Sequence, residues 1–254
     1  MTQVLTNSMP IGVPGDISRS GADTCDQVLQ HATYPVTAYG LPIVDDSGAA
    51  KGVTDGSVGA DIKGFLVRAF PSLGGLTTNE DWGTSTPPVS PAVLTRLKRG
   101  YLFVKVLYGT PAKEGQVHVR VAATSGARLQ GGIETAKAQT VTSPAIVGTG
   151  AGTIACSIDD VTKCIPGTYK ITLLSTSQTA AVSVIDPNGN RLKDGVVGTE
   201  YIAQGFKFTI TAGGTMTAAD NFSPVVTDTT IAIPRAYFTG AMDADNTAEV
   251  AYSI

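Results

Sequence analysis

Two histidines, His31 and His118, are the only imidazoles in this 254-residue chain that could act as general bases or metal ligands. His118 alternates with Val117, Val119 and Val121, a pattern that places its ring on the opposite face of a strand from the valines. No cysteine or carboxylate stands at metal-ligand spacing around it. The sequence also lacks the G-x-S-x-G motif of a nucleophile elbow. We therefore predict no catalytic residue.

A cluster of carboxylates late in the sequence, Asp243, Asp245 and Glu249, comes partway to the alternating oxygen ligands of a calcium loop. It lacks the glycine and the flanking helices of an EF-hand, so we predict a polar hairpin turn there instead. The glycine-rich run at residues 148–152 lacks the Lys-Ser/Thr end of a phosphate-binding P-loop. The sequence therefore predicts no metal site and no cofactor.

The chain carries few charges: 15% of its residues are charged, and its formal net charge is -3. Its one tight basic cluster, Arg96, Lys98 and Arg99, is too small for the electrostatic footprint of a nucleic-acid-binding protein. No apolar run approaches the roughly 18 to 20 residues that span a bilayer. We therefore predict neither a nucleic-acid partner nor a membrane.

The cysteines and the first residues bear on the cellular compartment. The first 16 residues lack the basic head and apolar core of a secretory signal, and three cysteines are an odd number for a disulfide framework. We therefore expect synthesis in the reducing cytoplasm of a host cell. The thiols of Cys25, Cys156 and Cys164 would then be small buried hydrophobes. A bridge between Cys156 and Cys164 across a hairpin remains an alternative.

Short alternating runs rich in β-branched and aromatic residues predict strands along most of the chain. The predicted strands are residues 43–44, 62–70, 101–108, 117–122, 169–174, 181–185, 206–211 and 248–254. Residues 186–190, with the sequence DPNGN, predict a tight turn. One short helix is expected at residues 89–98, with Ser90 as its cap and Pro91 in its first turn. The predicted fold class is all-β.

Composition divides the chain into two predicted domains. Residues 141–226 carry few charges and show turn signals about every 8 to 12 residues, which is typical of a small β-sandwich. We predict an inserted Ig-like β-sandwich at residues 140–228. Residues 1–139 and 229–254 would form a discontinuous host domain, a β-sandwich or barrel, with residues 1–20 as an extended arm. Such an insertion is tolerated because the entropy of loop closure grows slowly with length.

Three groups of segments resemble the structural cement, or capsid decoration, proteins of tailed bacteriophages. VPGDISR at residues 13–19 and YGLPIVD at 39–45 are similar to the opening of that family. DIKGFLVR at 61–68, GYLFVKV at 100–106 and QVHVR at 116–120 resemble its core strands, and residues 236–241 and 249–254 its closing hairpin. The insertion also resembles modules of phage surface proteins.

This resemblance implies a structural virion protein that binds the outer surface of a phage capsid and stabilises contacts between capsomers. Its partners would be the major capsid protein and further copies of itself, as a homotrimer or homodimer at a symmetry axis of the lattice. The resemblance brings no active site. The runner-up is a surface-displayed adhesin or glycan-binding module, which would require an export signal and an aromatic platform.

Six residues are candidates for contact with the capsid. Residues 1–20 are nearly uncharged and interrupted by proline, so we expect an arm that becomes ordered on binding. Trp82 lies in a polar, proline-rich stretch, where it would either anchor an interface or pack on its own sheet. The predicted contacts are Val13, Pro14, Gly15, Asp16, Arg19 and Trp82.

Overall fold

The structure, a computed structural model, describes residues 12–19, 23–68, 86–88 and 90–254. The chain divides into two compact units, Met1–Ala136 together with Thr230–Ile254, and Lys137–Thr229. Apart from one 3₁₀ turn, Gly59–Asp61, the regular structure in the described ranges is all strand, which confirms the all-β prediction. Within those ranges, no helix has the length and apolar character needed to cross a membrane.

The first unit contains nine strands among its described residues. They are β1 (Thr24–Gln30), β2 (Pro42–Asp46), β3 (Ala49–Lys51), β4 (Ile62–Val67), β5 (Val93–Tyr108), β6 (Gln116–Arg120), β7 (Ile133–Glu134), β18 (Thr230–Phe238) and β19 (Thr247–Tyr252).

These nine strands form two closed rings that share β5. In one ring, β5 pairs with β1, followed by β3, β2 and β4, which pairs again with β5. In the other, β5 pairs with β19, followed by β18, β6 and β7, which returns to β5. The 16-residue β5 reaches both because Val93–Arg99 pair in the first ring and the remainder in the second.

Alternation along β5 builds the core of the second ring. Leu102, Val104 and Val106 are buried, whereas Lys105 between them is exposed. They join one apolar cluster with side chains from the neighbouring strands, among them Val119 and Val250. This is the period of two that a pleated strand imposes, so one face of β5 fills the ring while the other faces outward.

The expected helix at residues 89–98 is wrong, because β5 begins at Val93. A serine followed by a proline is a helix-start signal, but Leu94 and Leu97 pair with β1 on one side and Leu97 with β4 on the other. Leu97 is fully buried. Pairing on both sides satisfies the main chain and outweighs a weak local preference for helix.

The second unit has ten strands in three sheets. They are β8 (Gln139–Val141), β9 (Gly152–Ile158), β10 (Gly167–Thr168), β11 (Lys170–Leu173), β12 (Ala181–Ile185), β13 (Gly195–Val196), β14 (Tyr201–Ala203), β15 (Phe206–Ala212), β16 (Asn221–Phe222) and β17 (Val225–Asp228). The strand orders are β13-β12-β11-β16, β14-β15-β9 and β10-β17-β8.

Stacked aromatic rings occupy the core of this second unit. The rings of Tyr169 and Phe206 stack with centroids 4.3 Å apart, and those of Tyr201 and Phe208 stack at 4.6 Å. All four belong to one buried cluster that draws residues from β9, β11, β12, β15 and β17. Facing sheets with an apolar interior make this unit a small β-sandwich.

The turn predicted at residues 186–190 is confirmed. Asp186 Oδ1 accepts hydrogen bonds from the main-chain N–H of Asn188 at 2.9 Å and of Asn190 at 2.8 Å. Gly189 follows with a φ of 86°, a conformation that glycine adopts without strain. An aspartate that hydrogen-bonds its own turn explains why this short motif was readable from sequence.

Candidate functional site

The segment at residues 12–19 lies along the second half of β5. Gly15 N–H donates to the carbonyl of Phe103 at 2.7 Å, and Phe103 N–H donates to the carbonyl of Asp16 at 2.9 Å. Ser18 N–H donates in turn to the carbonyl of Tyr101 at 3.1 Å. Alternating donors and acceptors of this kind form a short ladder, so the segment is held through its main chain.

Gly15 allows this segment to approach the rest of the unit closely. Its φ is 91°, and a Cβ built on it would lie 2.6 Å from Tyr39 Cβ. Its carbonyl accepts a hydrogen bond from Arg68 N–H at 2.9 Å, so the same residue bridges β5 and the chain that leaves β4. Only glycine combines this conformation with so close a contact.

Arg19 and Glu249 lock the far end of the segment onto β19. Arg19 Nε donates to Glu249 Oε1 at 3.0 Å, and Ser18 Oγ donates to the same oxygen at 2.5 Å. Thr239 Oγ1 donates to Glu249 Oε2 at 2.5 Å. Burial would raise the pKa of the Glu249 carboxyl, but hydrogen bonds from Arg19, Ser18 and Thr239 outweigh it and hold that pKa below its ordinary value.

These contacts correct the expectation of an arm that orders only on binding, as far as residues 12–19 are concerned. Their main-chain groups already pair with β5, and Gly15 is buried. A segment that is too polar to build a core can still be ordered by hydrogen bonds of its main chain. The polarity of its side chains gives no indication of such bonds. Residues 1–11 lie outside the described part of the chain.

A groove of about 330 Å³ adjoins this segment on the first unit. We call it the Arg68 groove. Its lining comes from six stretches of sequence: Pro14, Thr37, Ala38, Tyr39, Leu41, Arg68, Thr86, Lys105, Leu107, Leu129, Gln130 and Gly132. Apolar side chains predominate, and the charged residues in this lining are both cationic, Arg68 and Lys105.

The guanidinium of Arg68 is the unusual group of the groove. Its Nη2 is buried, and no described atom accepts a hydrogen bond from it. Asp16 is close enough for its charge to interact with Arg68, yet burial dominates and raises the pKa of the Asp16 carboxyl. Burial likewise raises the pKa of the Tyr39 hydroxyl. The arrangement can supply an unsatisfied cationic donor to an anion entering the groove.

Comparison with known protein families bears on this chain's identity. The sequence model of the structural cement protein family (E217 gp24/Pam3 gp6) matches residues 1–158, which is more than half of the chain. The chain belongs to this family. Searches of curated proteins and of solved structures returned no match.

Membership confirms the resemblance drawn from the sequence and makes the chain a structural phage protein. It implies association with the capsid and a place in the virion. It also points away from an enzyme. In this cement protein, the matched residues include all of β1 to β7, and therefore most of both rings, the segment at residues 12–19 and every residue of the Arg68 groove.

The remaining candidates from the sequence are scattered through the cement protein. Trp82 lies outside the described residues. Asp243 Oδ1 accepts hydrogen bonds from the N–H groups of Asp245 at 3.0 Å and Thr247 at 2.8 Å, so it shapes a turn, while Glu249 binds Arg19. Within the described ranges, no three His, Cys, Asp or Glu side chains group as metal ligands do.

The three thiols are free, and no disulfide joins Cys156 to Cys164. Cys164 is buried, Cys156 is half-buried and Cys25 is exposed, so the expectation of buried thiols is wrong for Cys25. Burial raises the pKa of the Cys156 thiol to about 11. A thiol with so high a pKa is almost entirely protonated at neutral pH and is a poor nucleophile.

Proposed function

We propose that this cement protein binds the outer surface of an assembled phage capsid and stabilises contacts between neighbouring capsomers. The family match over residues 1–158 is the observation that carries the proposal. Those residues hold seven of the nine strands in the two rings, so the capsid-binding function is assigned to the first unit. The major capsid protein is the proposed partner.

The strand pairing of the first unit suits a protein that binds a capsid lattice. In the two rings each described strand pairs on both sides over at least part of its length, so the rings leave little open edge for strand addition. Binding through this unit would therefore use side chains and loops. Exposed apolar side chains available for such contacts include Tyr34, Val58, Tyr108, Leu129 and Tyr237.

We also propose that the protein forms a homotrimer or homodimer at a symmetry axis of the shell. A symmetric oligomer engages several capsid subunits at once, and linked weak contacts raise overall affinity by about 10² to 10⁴. This arrangement suits a chain with few charges, because no single contact must be strong. Synthesis in the host cytoplasm completes the proposal, and the free thiols are compatible with it.

Shells assembled without this protein test the proposal. Purified protein is added to them, bound protein is measured by co-sedimentation, and its position is read by electron microscopy; shells of an unrelated phage serve as the control. We expect saturable binding to the outer surface and a higher temperature of shell disruption. Absence of binding to the cognate shell, or equal binding to the unrelated one, would contradict the proposal.

The predicted contacts Val13, Pro14, Gly15, Asp16 and Arg19 remain part of this proposal in altered form. Because residues 12–19 are already ordered, they would act as a preformed surface instead of an arm that folds on binding. A preformed surface loses less conformational entropy on association. Val13→Ser, a change at a partly exposed side chain, should weaken retention on heated shells while leaving the melting temperature of the free protein within a few degrees.

A further inference from the structure

A second depression lies next to the Arg68 groove. It has a volume of about 220 Å³ and shares Thr37, Leu41 and Gln130 with the groove. The two depressions therefore follow the loop between β1 and β2. Two adjacent depressions along one loop suit an extended chain better than a compact small molecule.

Three consecutive residues of the groove lining have main-chain N–H groups with no acceptor among the described residues. Thr37, Ala38 and Tyr39 lie between β1 and β2, outside any strand, and Thr37 and Ala38 are exposed. Among the described residues, none accepts a hydrogen bond from the N–H group of these three positions. An extended peptide presents carbonyl groups at regular spacing, so it can satisfy such donors as a strand does.

The charge of the lining selects the kind of peptide. Arg68 has a buried, unpaired Nη2, and Lys105 projects from the exposed face of β5 with no described ion pair. Among the described residues of the lining none is a carboxylate, although the neighbouring Asp16 carries a charge that interacts with Arg68. Leu107 and the half-exposed Leu129 supply apolar surface beside the two cations. A carboxylate would satisfy the guanidinium with charge-assisted hydrogen bonds, and an apolar side chain beside it would cover the leucines.

We propose that the Arg68 groove binds an extended acidic segment of the capsid protein, whose Asp or Glu pairs with Arg68 and Lys105 and whose apolar side chains cover Leu107 and Leu129. This assignment rests on the proposed function for the identity of its partner. The Arg68 groove would then be the contact through which the first unit distinguishes its capsid partner.

A blocked peptide, Ac-Asp-Leu-Asp-Val-Glu-Leu-NH2, serves as the probe for the groove itself, with its Asn/Gln counterpart as the matched control. Binding to the full chain is measured by NMR titration at low and high salt. We expect the acidic peptide to bind at least about tenfold more tightly than the amide peptide, because hydrogen bonds to charged groups are stronger than those between neutral groups. Added salt should reduce this difference, because the cations are near the surface.

Variants assign the effect to the two cations. Lys105→Gln changes an exposed side chain and should weaken the binding of the acidic peptide several-fold without loss of folding. Arg68→Gln should weaken the binding of that peptide about tenfold or more. Lys113→Gln, an exposed change outside the groove, is the control and should leave affinity unchanged. Equal affinity for acidic and amide peptides, equal loss in all three variants, or stronger binding of a thymidine oligonucleotide would overturn the groove assignment.

Shell binding by the same variants separates this inference from the proposed function. If the unaltered protein binds shells and Lys105→Gln weakens that binding, the proposed function and the groove assignment both stand. If Lys105→Gln and Arg68→Gln bind shells as firmly as the unaltered protein, the groove assignment fails while the proposed function stands. If the unaltered protein binds no cognate shell, the proposed function fails, and with it the capsid as the source of the peptide.

Discussion

At the scale of single residues, Glu249 ties the start of the described chain to its last strand. Its carboxylate, which is 15% exposed, accepts hydrogen bonds from Ser18, Arg19 and Thr239, and the Arg19 guanidinium also lies 4.3 Å above the ring of Tyr101. The bonds from Ser18 and Arg19 to Glu249 join residues 231 and 230 positions apart. Removing the negative charge therefore affects the attachment of residues 12–19 as well as β19.

Glu249→Gln is expected to lower the free energy of unfolding by about 1 to 3 kcal/mol at neutral pH. Because the folded pKa of Glu249 is depressed, the stabilisation is complete above the unfolded pKa of about 4.3 and is lost as pH falls through the folded value. The difference in melting temperature between the two proteins should therefore be largest above about pH 5 and shrink as the pH falls below the unfolded pKa. A difference independent of pH would contradict this role for the charge.

Gly15 permits a residue-scale test of how tightly the segment at residues 12–19 must approach Tyr39. Gly15→Ala introduces both an unfavourable positive φ and a Cβ that meets Tyr39 Cβ at 2.6 Å. Gly48→Ala is the matched control, because its φ of 84° is similar and nothing lies within 4 Å of the added atom. We expect Gly15→Ala to cost about 1 to 3 kcal/mol more than Gly48→Ala in chemical denaturation. Equal losses of stability in the two variants would mean that the segment can move away from Tyr39 without a cost in free energy.

At the scale of elements, Arg96 of β5 joins three strands of the first ring. Its side chain is 7% exposed; Nε and Nη2 donate to both carboxylate oxygens of Asp26 in β1 at 2.9 and 2.6 Å. Its Nη1 donates to Asp45 Oδ2 in β2 at 3.1 Å. Of the basic cluster seen in the sequence, Arg96 is therefore an internal tie between strands, whereas Lys98 and Arg99 are exposed.

Asp26→Asn should destabilise the protein more than Asp45→Asn. Asp26 accepts a paired interaction from a buried guanidinium, whereas Asp45 accepts one bond from Arg96 and one from Gly48 N–H. Because these hydrogen bonds are charge-assisted, we expect the free energy of unfolding to fall by about 1.5 to 3 kcal/mol in Asp26→Asn and by about 1 kcal/mol in Asp45→Asn. Urea denaturation of both variants measures the two losses in stability. A larger loss in Asp45→Asn than in Asp26→Asn would contradict this role of Arg96 in the first ring.

Most strands with clear alternation could be predicted from the sequence, and the exceptions have physical reasons. Residues 181–185 were predicted and form β12. β1 was missed because most of its side chains are exposed or half-buried, so no apolar alternation marks it. Only the end of β18 was anticipated, as part of the closing hairpin at residues 236–241. Its first part was missed because Pro234 interrupts the strand and Arg235 adopts a φ of 60°, where the pairing with β6 is irregular.

The candidate site was only partly accessible from the sequence. The motif at residues 13–19 was found through a family resemblance, but its side chains gave no sign of the ladder that its main chain makes with β5. The Arg68 groove could not be found, because Tyr39, Arg68, Lys105 and Leu129 come from separate parts of the chain. Only the closure of the rings brings them together, and ring closure has no local signature.

At the scale of the whole molecule, the chain leaves the first unit and returns to it at adjacent points. Thr230 Oγ1 donates to the carbonyl of Ala136 at 3.2 Å on the first unit's side. On the second unit's side, Thr229 N–H donates to the carbonyl of Ala138 at 2.8 Å, and Gln139 is paired opposite Asp228. Adjacent entry and exit are what permit one folded unit to be inserted into a loop of another.

That each unit folds alone stays a prediction, and replacing residues 137–229 by a linker of about four Gly and Ser residues tests it. The linker needs to join only neighbouring positions, and a shorter loop costs less closure entropy. We expect the shortened chain to keep its β-type circular dichroism and one cooperative thermal transition, because the two rings and their core contain no residue of the replaced segment. The matched control is the segment 137–229 expressed by itself, which should unfold cooperatively around its own aromatic core. Loss of cooperative unfolding in the shortened chain would show that the rings depend on the insertion, and the predicted division at residues 140–228 would then be wrong.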